Sequence, residues 1–299
     1  MLLTYRDLLR DIFFCITFQW TARRLPVLQL VLHTIQDYPT NTTVCLITNE
    51  PERLRTVLKH WNFDRVTVCG EERTLGHAFQ LAWVHREVME TVFQRDDHSL
   101  FIYQEDDLGL SWPALEAWAH DETLLVPMGL HRGFVRVQPS QWDGTLITMD
   151  QLTNTSLGAG TTISIPHASK HPDGEGSTSH FVHLAGPYMA MWLASRPQLE
   201  TWQKSPQWSA QRNGYHGNPS REDAAQGLYG MQGDHFVHKA GLTGFRQTVV
   251  VPYDAAMRQV LPIATITHLD IWESRCSTNE PQVPGSGHCT IPFAEILVD

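Results

Sequence analysis

The first hundred residues alternate short apolar runs with longer amphipathic ones, and this alternation restricts the fold more than any other feature of the chain. DIFFCITF (11–18) reads as a strand, and RLPVLQLVLHTIQDYP (24–39) as a helix with apolar residues at Leu25, Val27, Leu28, Leu30, Val31, Leu32 and Ile35, which Pro39 ends. TTVCLITN (42–49) reads as a second strand, EPERLRTVLKHW (50–61) as a second helix and RVTVCG (65–70) as a third strand. TLGHAFQLAWVHREVMETVFQR (74–95) follows as a long third helix, and SLFIYQ (99–104) as a fourth strand. Near-continuous apolar strands separated by helices are what a parallel sheet covered on both faces requires. The expectation is an α/β fold with a doubly wound, Rossmann-type, mostly parallel sheet.

A chain of 299 residues can bury a large core, and 42% hydrophobic against 18% charged residues is a globular composition, so one domain is expected. The formal net charge of −10, from 32 acidic and 22 basic residues, argues against a dedicated nucleic-acid binder, which needs basic surface to neutralise phosphates. Arg6, Asp7, Arg10 and Asp11 interrupt the N-terminal MLLTYRDLLRDIFFCITFQW, which therefore suits neither a secretion signal nor a transmembrane segment. A soluble protein is expected in the cytoplasm, or in the secretory-pathway lumen if the chain is the ectodomain of a longer one. Of the five cysteines, Cys15, Cys45 and Cys69 lie in strand-like runs, where small buried thiols are common. Cys276 and Cys289 lie in loop-like sequence and could pair in a secreted protein. Asn41 and Asn154 open the glycosylation patterns NTT and NTS, which arise often by chance.

The fourth strand runs into Glu105, Asp106 and Asp107, three like charges at the place where open α/β sheets bind ligands. Two readings fit them. A divalent cation, Mn²⁺ or Mg²⁺, takes hard carboxylate oxygens and would relieve the repulsion. Alternatively, the acids cap the helix that follows.

In composition and placement FIYQEDD resembles the strand-tip DxD-type motif, often EDD, of nucleotide-sugar-dependent glycosyltransferases of the GT-A fold, and CITFQWTARRLPVLQLVLHTI resembles their first strand and helix. The resemblance covers the first 110 residues and islands beyond. It implies a nucleotide-sugar-binding half at 1–108 and an acceptor-binding half at 109–299. Thr17, Arg23, Arg24, Glu105 and Asp106 fall at nucleotide-binding positions, and a guanidinium fork suits diphosphate oxygens. By the same likeness Glu105 faces the ribose or the metal's waters, Asp107 binds the metal, Asp106 serves structure, and His268, ending the β-like part of ATITHLDIWE, is a further metal ligand. An imidazole favours Mn²⁺ as the better of the two hard ions.

NPSREDAAQGLYG places Glu222 and Asp223 where inverting members carry the carboxylate that takes the acceptor's proton, Glu222 being the first choice. Exposed capping acids would look the same. FVHLAGPYMAMWLASRPQLETW reads as a strand, a turn and a helix, and the likeness sets Gly186, Pro187 and Tyr188 on the wall of the sugar pocket. Tyr188, Trp192 and Trp202 could stack on a sugar, although Met189, Met191, Trp192 and Leu193 also read as core. The stretch 145–179 reads as a long loop or insertion over the acceptor site.

The implied activity is divalent-metal-dependent transfer of a hexosyl group from a nucleotide-diphosphate sugar to the hydroxyl of a carbohydrate or glycoconjugate acceptor, with inversion. Two alternatives stand beside it. One is a metal-dependent phosphohydrolase, to which Asp234, His235 and His238 would contribute. The other is a sugar- or nucleotide-binding protein that keeps the fold without turnover.

Overall fold

The structure, a computed structural model, describes residues 4–69, 78–139, 146–148, 162–166, 178–183, 190–205, 208, 224–225, 249–254 and 259–269. The chain divides into two compact units, Met1–Trp112 with Tyr188–Arg246, and Pro113–Pro187 with Gln247–Asp299. The first unit thus runs slightly past residue 108 and takes the chain back later. Among the described residues, no helix is long and apolar enough to cross a membrane.

In the first unit, α1 (Tyr5–Leu8), β1 (Asp11–Phe18), α2 (Leu25–Gln36), β2 (Asn41–Thr48), α3 (Pro51–Trp61), β3 (Val66–Val68), α4 (Val84–Arg95), β4 (Leu100–Glu105) and β5 (Leu108–Gly109) follow in order. The returning segment adds β11 (Met191–Ser195) and α6 (Arg196–Gln203). One sheet has the order β11-β4-β1-β2-β3, with β1 to β4 parallel and β11 antiparallel to β4. Ile12 to Phe18 of β1 and Val44 to Thr48 of β2 are buried throughout, as central strands of a sheet covered on both faces must be. α2 buries Leu28, Val31, Leu32 and Ile35, the stripe that a 3.6-residue period sets on one face. Each such side chain contributes about 2 kcal/mol on leaving water. α3 stops at Asn62, whose left-handed φ of 54° is one that asparagine tolerates.

In the second unit, α5 (Trp112–Leu125), β6 (His131–Arg132), β7 (Val135–Pro139), β8 (Leu146–Thr148), β9 (Thr162–Pro166), β10 (Thr178–His183), β12 (Val249–Asp254), β13 (Gln259–Val260) and β14 (Thr265–His268) follow. Strands β13, β12, β10 and β9 lie side by side, with β6 parallel to β12. β7 pairs parallel with β14 and antiparallel with β8. Leu125, Phe181 and Val250 form a core cluster joined by Ile163 and Ile165. The buried Arg132 ties this unit together: its backbone N–H donates to Glu122 Oε1 (2.7 Å), its Nε to Asp121 Oδ2 (3.2 Å) and its Nη2 to the Ile263 carbonyl (2.9 Å).

The architecture is α/β with mixed sheets, compatible with a Rossmann-like fold, and its first four strands are those expected from the sequence. Four local expectations need correction. The segment expected as one helix over 74–95 contains a 3-10 stretch, Ala78–Trp83, before α4, while 70–77 lie outside the described residues. The segment expected as a helix after the Gly-Pro turn begins as strand β11. Its helix starts only at Arg196, because Ser195 and Gln198 form a reciprocal capping box that opens α6 there. The stretch 145–179 contains β8 and β9 and the start of β10, so it is not loop throughout. Finally, Cys45 and Cys69 are bonded to each other, not free thiols. Parallel pairing sets Cys45 opposite Thr67 and brings the two Cα atoms within 5.5 Å. Cys15 is buried and free as expected.

Candidate functional site

The order of strands indicates where a ligand would bind before any side chain is considered. The chain steps outward from β1 to β2 to β3, and α4 then carries it back to β4 on the other side of β1. The strand order therefore reverses between β1 and β4, and it is outside the carboxyl ends of two such strands that open α/β sheets bind ligands. Parallel register pairs Thr17 with Glu105, so the acidic turn begins beside the end of β1.

Local hydrogen bonds hold this turn in shape. Gln104 Nε2 donates to the Leu108 carbonyl (3.1 Å), spanning the three acids. Tyr38 Oη donates to the Leu110 carbonyl (2.5 Å) and fixes the chain as it leaves. On the other flank the Glu105 N–H donates to the carbonyl of Ala190 (3.1 Å), a non-glycine residue held at a φ of 53°. That left-handed conformation costs roughly 1–2 kcal/mol, a cost that surrounding structure sustains most often near functional sites.

Asp106 and Asp107 are only 3% and 4% exposed, and Glu105 is half-buried. Arg24, which precedes α2 in the loop after β1, bridges the two aspartates: its Nη2 lies 3.1 Å from Asp106 Oδ1 and 2.5 Å from Asp107 Oδ2. Burial pushes the Asp106 carboxyl well above the usual carboxylate range; Arg24 pulls it down, while Asp107 and Glu105 push it up. Asp106 Oδ2 is buried with no hydrogen-bond partner among the described residues. An orphaned carboxylate oxygen beside a second buried carboxylate is a donor set that fits a hard divalent cation. Among the described residues, no three His, Cys, Asp or Glu side chains form a group that could hold a metal ion.

Beneath the strand tips lies an aromatic layer that the sequence does not announce. Thr17 Oγ1 donates to Tyr103 Oη (2.8 Å), and the Tyr103 ring stacks on His85 with centroids 3.9 Å apart. Trp192 Nε1 donates to His85 Nε2 (3.2 Å), which puts the ring's proton on Nδ1, facing the Ala82 carbonyl. Burial, with Arg86 adding to it, holds the His85 pKa well below its ordinary value and keeps the imidazole neutral. Trp202 packs edge-on against Trp192, and the Arg86 guanidinium lies over Trp83 at 4.3 Å.

The expected site residues are placed as follows. Thr17, Arg24, Glu105, Asp106 and Asp107 come together at the reversal of strand order. Arg23 is exposed in the 3-10 turn Ala22–Arg24. Thr17 directs its hydroxyl to Tyr103. Trp192 and Trp202 are 0% exposed and belong to the core, which corrects the expectation that they could stack on a sugar. His268 ends β14 in the second unit, and its side chain lies outside what is described. Gly186, Pro187, Tyr188, Glu222, Asp223, Asp234, His235 and His238 lie outside the described residues. No model of a known protein family matches the chain, and no curated protein matches its sequence.

Proposed function

We propose that the protein is a nucleotide-sugar-dependent glycosyltransferase of GT-A type, using Mn²⁺ or Mg²⁺ and transferring a hexosyl group to a carbohydrate hydroxyl with inversion. The observation that carries the reading is the acidic turn itself: Glu105, Asp106 and Asp107 follow β4 at the point where strand order reverses, in register with the end of β1. A buried cluster of carboxylates is costly unless something positive is to be held there. Asp107 would hold the cation, with Glu105 facing its waters or the ribose. The cation, once bound, neutralises the charge that develops on a diphosphate leaving group. Gln104 and Tyr38 fix the turn that carries the carboxylates, and Arg24 supplies a guanidinium to Asp106 and Asp107. Glu222, with Asp223 second, is proposed as the base and His268 as a further ligand, on the resemblance alone. The lining of the sugar pocket by Gly186, Pro187 and Tyr188 has the same basis. The Cys45–Cys69 bond favours an oxidising compartment for this activity.

One observation favours a second reading. The ion pair to Arg24 already gives the acidic turn a cation of its own, as a binding protein without turnover would need. Calorimetric titration of UDP and GDP, each with and without Mn²⁺, separates the two. Metal-dependent binding of one nucleotide, lost in Asp107→Ala, followed by donor hydrolysis or transfer, is the expected result. Metal-dependent binding with no turnover of any donor would favour the second reading, and binding of neither nucleotide would overturn the first.

A further inference from the structure

The sequence reading sends Arg24 to a phosphate, yet its guanidinium lies between Asp106 and Asp107. Three facts bear on what it does there. The two carboxylates are nearly inaccessible and belong to a turn tied down by Gln104 and Tyr38, so they have little room to move. Arg24 ends the short 3-10 turn Ala22–Arg24, and its side chain is 23% exposed, so it has a way out to solvent. Asp106 Oδ2 is a buried acceptor without a hydrogen-bond partner among the described residues.

We infer that Arg24 is an internal counter-ion that competes with a divalent cation for Asp106 and Asp107, so that loading the cation and releasing the guanidinium are one exchange. The inference rests on the reading of the acidic turn as a cation site. A guanidinium and a divalent ion on the same pair of carboxylates repel each other at short range, and the group with access to solvent is the one that leaves. In the unloaded protein Arg24 keeps two buried carboxylates from standing uncompensated. Once released, it is free to face an anionic group of a donor, so a cation and a diphosphate would each favour the binding of the other.

The test is calorimetric titration of Mn²⁺ alone into wild type, Arg24→Met, Arg24→Lys and Asp107→Asn, with the melting temperature of each recorded with and without Mn²⁺. Arg24→Met should bind Mn²⁺ roughly tenfold more tightly than wild type, within the usual span of coupling between linked sites. It should also melt lower than wild type without metal and gain more from Mn²⁺. Arg24→Lys should fall between the two, and Asp107→Asn should bind weakly or not at all. Mn²⁺ bound equally by wild type and Arg24→Met overturns the exchange and leaves the cation site standing. Binding by neither overturns both the exchange and the cation reading. Should Arg24→Met fail to fold, the comparison passes to Arg24→Met/Asp106→Asn against Asp106→Asn, where equal affinity again overturns the exchange.

Discussion

Each unit contains an arginine set among carboxylates, one fully buried and one partly exposed, and the two are used differently. Arg132, in the second unit, has a fully buried side chain that donates to Asp121 and to the carbonyls of Gly133 and Ile263 and lies 4.5 Å from the centre of the Phe134 ring. These partners come from α5, from Gly133 beside it in sequence and from the 3-10 turn Pro262–Ala264, so the charge works as a cross-link. Arg24, in the first unit, is partly exposed and pairs with Asp106 and Asp107 beyond the tip of β4, where Asp106 Oδ2 has no hydrogen-bond partner among the described residues. A fully buried arginine set among backbone carbonyls ties a unit together, whereas the partly exposed one set on carboxylates beyond the end of a strand is where we propose that another cation competes.

The comparison breaks most readily at Arg132. Arg132→Met should destabilise the second unit by about 3–5 kcal/mol, because it removes a fully buried charge from the partly buried Asp121 and leaves the Gly133 and Ile263 carbonyls without this donor. Denaturant unfolding measures this, and a loss no larger than that of Arg24→Met would show that the two arginines are not different in kind. Next in size is the covalent link of the first unit. Cys45→Ser should cost about 3 kcal/mol in the chain-entropy account of a bond closing a loop with a separation of 24 residues. Peptide mapping without reductant should recover the Cys45–Cys69 pair, and two alkylated thiols at these positions would refute it.

Smaller effects sharpen the electrostatic half of the comparison. The raised Asp106 pKa means that the folded state holds a proton which the unfolded chain releases at its ordinary value of 3.8. Stability from this group is therefore full below that value and is lost as pH rises toward the higher folded value. Asp106→Asn should gain on wild type in unfolding free energy across that window, and a difference that stays flat or shrinks with pH would contradict the assignment. The smallest effect is expected at Ala190, where glycine accepts the positive φ at no steric cost. Ala190→Gly should be neutral or stabilising by about 1 kcal/mol in thermal unfolding, unlike Ala→Gly at ordinary backbone angles, which destabilises.

Much of the first unit was legible because its signals are local. Apolar runs and the stop at Pro39 bounded β1, α2, β2 and α3 to within a few residues, and the same reading put the acids at the end of β4. The SRPQ capping box was an equally local signal for the start of α6, and reading it would have left MWLAS as a strand. No local signal could pair Arg24 with residues 82 and 83 positions away, join Cys45 to Cys69, or bury His85 under Tyr103 and Trp192.

The sequence by itself determined an α/β pattern, the strands of the first sheet and the presence of a carboxylate run at a strand end. Only the tertiary structure decided that those carboxylates are buried, that Arg24 lies between them and that the tips of β1 and β4 meet. Periodicity along a chain reports which residues leave water, because burial depends on the local repeat. Which charges meet depends on strand order and register, and those are settled by contacts between residues far apart in sequence.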